Sequence, residues 1–74
     1  GDDENYAVAT RYIEKAIEID SNYYDYWVDY GRYLYYQGKF ADAEKSWTKA
    51  ISIDSENFYA YIYRAALYDE NGRL

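Results

Sequence analysis

The chain contains no cysteine and no histidine, and those two absences remove much of nucleophilic and metal chemistry at once. They exclude disulfides, a thiolate nucleophile, a zinc–thiolate site and any Ser–His or Cys–His pair. Nothing reports on redox compartment either. Proline and methionine are also missing and glycine occurs four times. Scarcity of proline and glycine suits a helical chain, because both disfavour helix interiors. No apolar run approaches the ~20 residues of a membrane span. Positive charge is short as well: eight Lys and Arg stand against fourteen Asp and Glu, a formal charge of −6. That balance disfavours nucleic acid, including recognition of RNA by a helical repeat, since such binding rests on neutralising phosphates. It disfavours anionic membrane surfaces equally. A protein or peptide that is neutral or basic is the expected partner, and the same acidity also serves solubility.

What the sequence has in abundance is tyrosine, thirteen of its seventy-four residues. Each hydroxyl needs water or a partner, so many of these rings are expected half-buried with the tip wet. At this length one small domain is expected, near the size at which a single core is marginal. The chain opens Gly1-Asp2-Asp3-Glu4 without a methionine. It reads as an excised or expressed piece, so the lack of a leader sequence is uninformative.

Taken in order, Gly1 to Asn5 reads as a polar, acidic lead-in whose charge favours the start of a helix. Tyr6, Ala9, Ile13, Ala16 and Ile17 then follow the i, i+3, i+4 rule of an amphipathic helix over about 6–19. Asp20-Ser21-Asn22 breaks it, being residues that satisfy backbone groups at caps and turns. A second helix is expected over about 23–37, with Trp27, Tyr30, Gly31 and Leu34 on one face. Gly38 is placed to end it in the left-handed conformation. A third runs over about 40–53 with Ala43, Trp47, Ala50, Ile51 and Ile53 along one face, ended by Asp54-Ser55-Glu56-Asn57. A fourth covers about 58–70 and is closed by Asn71-Gly72.

Sliding the chain by thirty-four residues brings Ala7 onto Ala41, Ala9 onto Ala43 and Lys15-Ala16-Ile17 onto Lys49-Ala50-Ile51. Ile19-Asp20-Ser21 falls on Ile53-Asp54-Ser55 and Gly38 on Gly72, with Tyr6 on Phe40, Ile13 on Trp47, Trp27 on Tyr61 and Gly31 on Ala65. Small residues meet small ones and bulky meet bulky. That is the mark of stacked helices whose close contacts recur once per repeat.

Trp27-x2-Tyr30-Gly31-x2-Leu34, Gly38-Lys39-Phe40 and Ala43-x3-Trp47-x2-Ala50 resemble the tetratricopeptide repeat family, with its helix–turn–helix period of about thirty-four residues. The resemblance implies an all-α right-handed solenoid segment forming one domain over 1–74. Residues 6–22 would be the second helix of one repeat, 24–57 a complete repeat, and 58–74 the first helix of another. Three positions depart from the family pattern. Ser21 and Ser55 stand where proline is usual, Arg64 where leucine is usual, and Tyr33 where a small residue is usual. Looser inter-repeat turns and locally widened packing are the expected consequences.

No catalytic set, cofactor or metal site is expected. Asp25 and Asp29 share a helical face, but nothing supplies a third ligand, so they read as a solvated acidic surface. The isolated glycines form no phosphate-cradling loop. Trp27, Tyr30, Phe40, Trp47, Tyr61 and Tyr68 match positions that pack inside the repeat. In the resembled family the first helix of each repeat lines a concave groove that usually binds a peptide. That implies Asp25, Val28, Asp29, Arg32, Tyr35 and Tyr36 from one helix, and Tyr59, Ile62, Tyr63 and Ala66 from the next. Family members that clamp a chaperone's C-terminal carboxylate use lysine, asparagine and arginine there. With Val28, Arg32 and Tyr63 beside Asp25 and Asp29, a carboxylate would be repelled. The expected function is therefore a protein–protein interaction module holding a neutral or basic peptide. The alternative is a structural, designed or excised fragment that self-associates end to end or by helix exchange. It would cover Ala9, Ile13 and Ile17 at one end and Tyr61, Ala65 and Tyr68 at the other.

Overall fold

The computed structural model describes residues 2–70, with side chains from residue 4. Four helices follow one another: α1 (Asp2–Ile19), α2 (Tyr24–Tyr36), α3 (Phe40–Ile53) and α4 (Tyr59–Glu70). No strand occurs among the described residues. The all-α reading stands, and the expected ends agree to within a residue except at the start. The acidic lead-in is itself helical, and α1 reaches back to Asp2. The expected stop at Asn71-Gly72 lies outside the described residues.

Local chemistry accounts for each turn. Gly38 adopts φ +79°. Its N–H donates to Tyr35 O and the Lys39 N–H to Leu34 O, both at 2.9 Å. This is the Schellman arrangement, which satisfies the last carbonyls of α2 and needs a residue indifferent to left-handed φ. The other two turns are built alike, thirty-four residues apart. Asp20 Oδ1 accepts the Asn22 N–H at 3.0 Å, and Asp54 Oδ1 accepts the Glu56 N–H at 3.2 Å. These aspartates satisfy backbone donors in turns where serine, at 21 and 55, stands in place of the family's usual proline.

Each helix packs on the next: α1 on α2, α2 on α3 and α3 on α4, with α2 also touching α4. The core gathers Tyr24, Val28, Leu34, Ala43, Trp47, Ala50, Ala60 and Leu67. At its centre Trp47 crosses Gly31. A Cβ on Gly31 would lie 2.3 Å from Trp47 Nε1 and 2.5 Å from Cδ1, so only glycine admits the indole. The ring is fixed from two further directions, by Nε1–H donating to Val28 O at 3.1 Å and by stacking on Tyr63 at 5.5 Å. One residue earlier, Ser46 Oγ donates to Trp27 O at 2.6 Å. Both contacts put α3 side chains against α2 backbone, and that close approach sets the spacing of the two helices.

The hydroxyls of Tyr24, Tyr30 and Tyr35 find protein partners. Tyr24 OH accepts the Ala60 N–H at 3.0 Å, giving one first-turn donor of α4 an acceptor from across the core. Burial, the larger effect, holds its pKa above the ordinary value. Tyr30 OH donates to Glu14 Oε2 at 2.7 Å, joining α2 to α1. Burial and that bond together push Tyr30 up to about 12. The same helix-to-helix link recurs with different chemistry one repeat on. Arg64 Nη1 donates to Thr48 Oγ1 at 3.2 Å, and both pairs are separated by sixteen residues. Arginine thus substitutes for an apolar residue at 64 by bonding to α3 and lying against Tyr61 and Tyr68. Tyr33 is accommodated half-buried, with its ring 6.2 Å from that of Tyr6.

Two expectations of burial fail. Phe40 and Tyr61 are 42% and 40% exposed, not packed inside. Phe40 sits at the first residue of α3, with its ring 5.4 Å from that of Tyr35. Tyr61 occupies the place equivalent to Trp27, whose indole reaches the preceding turn at Ser21 O, and no helix follows α4 among the described residues. On α1, Ala9, Ile13 and Ile17 are half-buried rather than exposed, since that stripe turns toward α2. The apolar side chains left in solvent there are Val8, Tyr12 and Ile19.

Replacing Gly31 by alanine gains helix propensity, about 1 kcal/mol, but drives a methyl into an indole that has nowhere to move. The net outcome is destabilisation by about 1–2 kcal/mol, seen as a Tm lowered by roughly 5–15 °C. An unchanged Tm in thermal unfolding followed by circular dichroism would show that Trp47 can yield.

Candidate functional site

The face shared by α2 and α4 carries the residues expected to contact a partner. The two helices run parallel, because Arg32 meets Tyr63 near their middles and Tyr35 meets Glu70 near their ends. Between them lies a cleft of about 110 Å³ lined by Arg32, Tyr35, Tyr36, Trp47, Tyr63 and Glu70. Its floor is Trp47, whose stacking on Tyr63 is nearly parallel at 20°. Tyr35 and Tyr36 are consecutive on α2, and their rings meet edge to face at 77° with centroids 5.6 Å apart. Tyr36 is also stacked at 4.8 Å on Tyr6 of α1, which braces it from behind.

The charged groups of the cleft are arranged in pairs. Arg32 Nη1 lies 3.3 Å from Asp29 Oδ1, with both side chains over a third exposed. An ion pair that wet contributes little stability, and its consequence is positional. It holds the guanidinium 5.9 Å from the Tyr63 ring centroid, within cation–π range. Tyr35 OH donates to Glu70 Oε2 across the far end of the cleft. That bond, more than burial, raises the Tyr35 pKa above its ordinary value of 10.

Of the ten residues expected in the groove, Arg32, Tyr35, Tyr36 and Tyr63 are brought together in the cleft. Asp29 stands behind Arg32 as its counter-ion. Asp25, Tyr59, Ile62 and Ala66 are exposed on the same two helices but do not line it. Val28 is a correction. It is buried at 7% exposure within the core cluster and is unavailable to a ligand. Its repeat equivalent Ile62 is 54% exposed, so one repeat position is core in α2 and surface in α4.

Trp47 and Glu70 were not among the expected contact residues. Trp47 is a core residue at 2% exposure, yet its ring also bounds the cleft. Glu70 carried a usable signal, since it lies thirty-four residues beyond Tyr36, itself an expected groove position. No cluster of acidic side chains suited to a metal ion exists among the described residues. No described helix is long and apolar enough to cross a membrane.

A family model described as Tetratricopeptide repeat matches residues 24–57. The chain belongs to the tetratricopeptide repeat family. A TPR repeat-containing protein of Methanocaldococcus jannaschii is 39% identical over 71 residues, which is 96% of this chain and 12% of that relative. The chain therefore spans about an eighth of that relative's length. No solved structure matches it. Tetratricopeptide repeats generally mediate protein–protein interaction, and the family is typically a non-enzymatic scaffold.

Because the Tyr35 pKa is raised in the folded state, the Tyr35–Glu70 tie is fully present below pH 10. It is lost as pH rises through the folded value, when two anions would face each other. A pH titration of ¹³C-labelled tyrosine Cζ shifts should place Tyr35 above free tyrosine, and Glu70→Gln should bring it back down. A Tyr35 midpoint unaffected by Glu70→Gln would break the link between these two groups.

Proposed function

We propose that this tetratricopeptide chain is a protein-interaction module whose α2–α4 face holds a neutral or basic peptide segment. The observation that supports this most directly is the tyrosine-walled cleft between Arg32 and Glu70. Aromatic side chains supply large rigid contact area and are enriched at binding hot spots. Asp25, Tyr59, Ile62 and Ala66 extend the exposed surface along the two helices beyond the cleft. The overall charge of −6 disfavours an acidic ligand. In this reading residues 24–57 are a complete repeat, 6–22 the second helix of a preceding one and 58–74 the first helix of a following one. The groove is then built from equivalent first helices, α2 and α4.

A second reading is self-association through the outer faces of α1 and α4. It is favoured by Tyr12 at 72% exposure and Tyr61 at 40%. A repeat buries such faces against its neighbours.

Titrating basic and apolar peptides into the ¹⁵N-labelled protein is the test. Binding at the α2–α4 face should move the amide signals of Arg32, Tyr35 and Tyr63 together, while those of Val8 and Tyr12 on α1 stay fixed. Unmoved signals at Arg32, Tyr35 and Tyr63 would remove the groove reading. Sedimentation separates the second reading, since a monomer mass independent of concentration would contradict self-association.

A further inference from the structure

We propose that the cleft between α2 and α4 is an anchor pocket for one basic side chain, a lysine or arginine of the bound peptide. This rests on the groove reading above and names what the groove selects. Size comes first. At about 110 Å³ the cleft is smaller than a cavity of roughly 150 Å³ that holds one benzene. Small-molecule pockets are larger, from about 300 Å³ upward. It therefore takes the end of one side chain rather than a whole small ligand or a length of backbone.

Chemistry decides which side chain. Tyr35 and Tyr36 form two walls near a right angle, at 77°, and the faces of such rings attract cations. The carboxylate of Glu70 is held at the end of the cleft by the Tyr35 hydroxyl, so a counter-ion is positioned before any ligand arrives. The cleft also lies at the C-terminal end of α2, the negative pole of its dipole, and the last turn of α2 contains no basic residue. Arg32 does not cancel this field, because Asp29 neutralises it at 3.3 Å. Counting Asp29, Arg32 and Glu70 leaves one net negative charge.

The protein already uses this recognition internally. Arg32 lies 5.9 Å from the ring centroid of Tyr63, and Arg64 lies 5.8 and 5.9 Å from those of Tyr61 and Tyr68. Tyrosine faces of this chain thus accept guanidinium beside the cleft, at Tyr63, and on the outer face of α4, at Tyr61 and Tyr68. An acidic side chain in the cleft would face Glu70. An apolar one would strip water from the carboxylate and return nothing.

The test uses the intact 74-residue chain and three blocked heptapeptides identical but for a central lysine, arginine or norleucine. Binding is followed by amide shifts at low salt. The lysine and arginine peptides should bind about fivefold or more tighter than the norleucine peptide. That advantage should shrink as salt is added and vanish in Glu70→Gln, which keeps an acceptor for Tyr35. If norleucine binds as tightly as lysine and moves the same amides, or if Glu70→Gln keeps the preference, the anchor is overturned while the groove stands. If none of the three peptides moves Arg32, Tyr35 or Tyr63, both readings fail.

Discussion

The passage of Trp47 across Gly31 is the contact on which the rest of the structure depends. A side chain as large as tryptophan reaches the backbone of α2 only because residue 31 offers no Cβ. Once there, it hydrogen-bonds to Val28 O and brings α3 close enough for Ser46 to bond to Trp27 O. The far side of the same indole stacks on Tyr63, so one ring locates both α3 and α4 relative to α2. Two helices without this wedge would be free to slide. With it, their registers are linked.

That linkage is what gives the α2–α4 face a definite shape. Tyr63 stands beside Arg32 because Trp47 supports it from beneath, and α4 is tied independently at both ends. Tyr24 OH receives the Ala60 N–H at the start of the helix, and Tyr35 reaches Glu70 at its finish. Tyrosine serves this architecture in a way leucine would not, because each ring packs by its face and fastens by its tip. Tyr24, Tyr30 and Tyr35 each join two helices in this manner. A chain near the lower size limit for a single core gains cross-links that a purely aliphatic interior does not supply.

Much of this was legible in the residues themselves. The thirty-four-residue spacing placed the turns, and the left-handed glycine at 38 followed from its position after an apolar stripe. Pairing Gly31 with a bulky partner was implicit in small residues recurring at 31 and 65. What the pattern did not show was depth. Val28 and Ile62 occupy one repeat position, yet one is buried and the other exposed, because burial depends on which neighbouring helices are present and periodicity does not report that. Tyr61 and Phe40 were misassigned to the core for the same reason. The repeat spacing could place Glu70 on the groove, but not its bond to Tyr35, nor that of Tyr24 to Ala60. Each joins residues more than thirty apart through one hydroxyl, and nothing local in the sequence marks such a bond.

Hydrogen exchange of the two indole N–H groups tests the central role of Trp47 most directly. Both donate to main-chain carbonyls: Trp27 to Ser21 O at 2.8 Å on the surface, and Trp47 to Val28 O at 3.1 Å in the core. If the wedge holds the helices together, Trp47 exchanges only when the whole domain unfolds, with a free energy equal to that measured in denaturant. Trp27 then exchanges faster, through local opening of its turn. Equal exchange rates for the two indoles, or a Trp47 that exchanges well below the global unfolding free energy, would contradict the account.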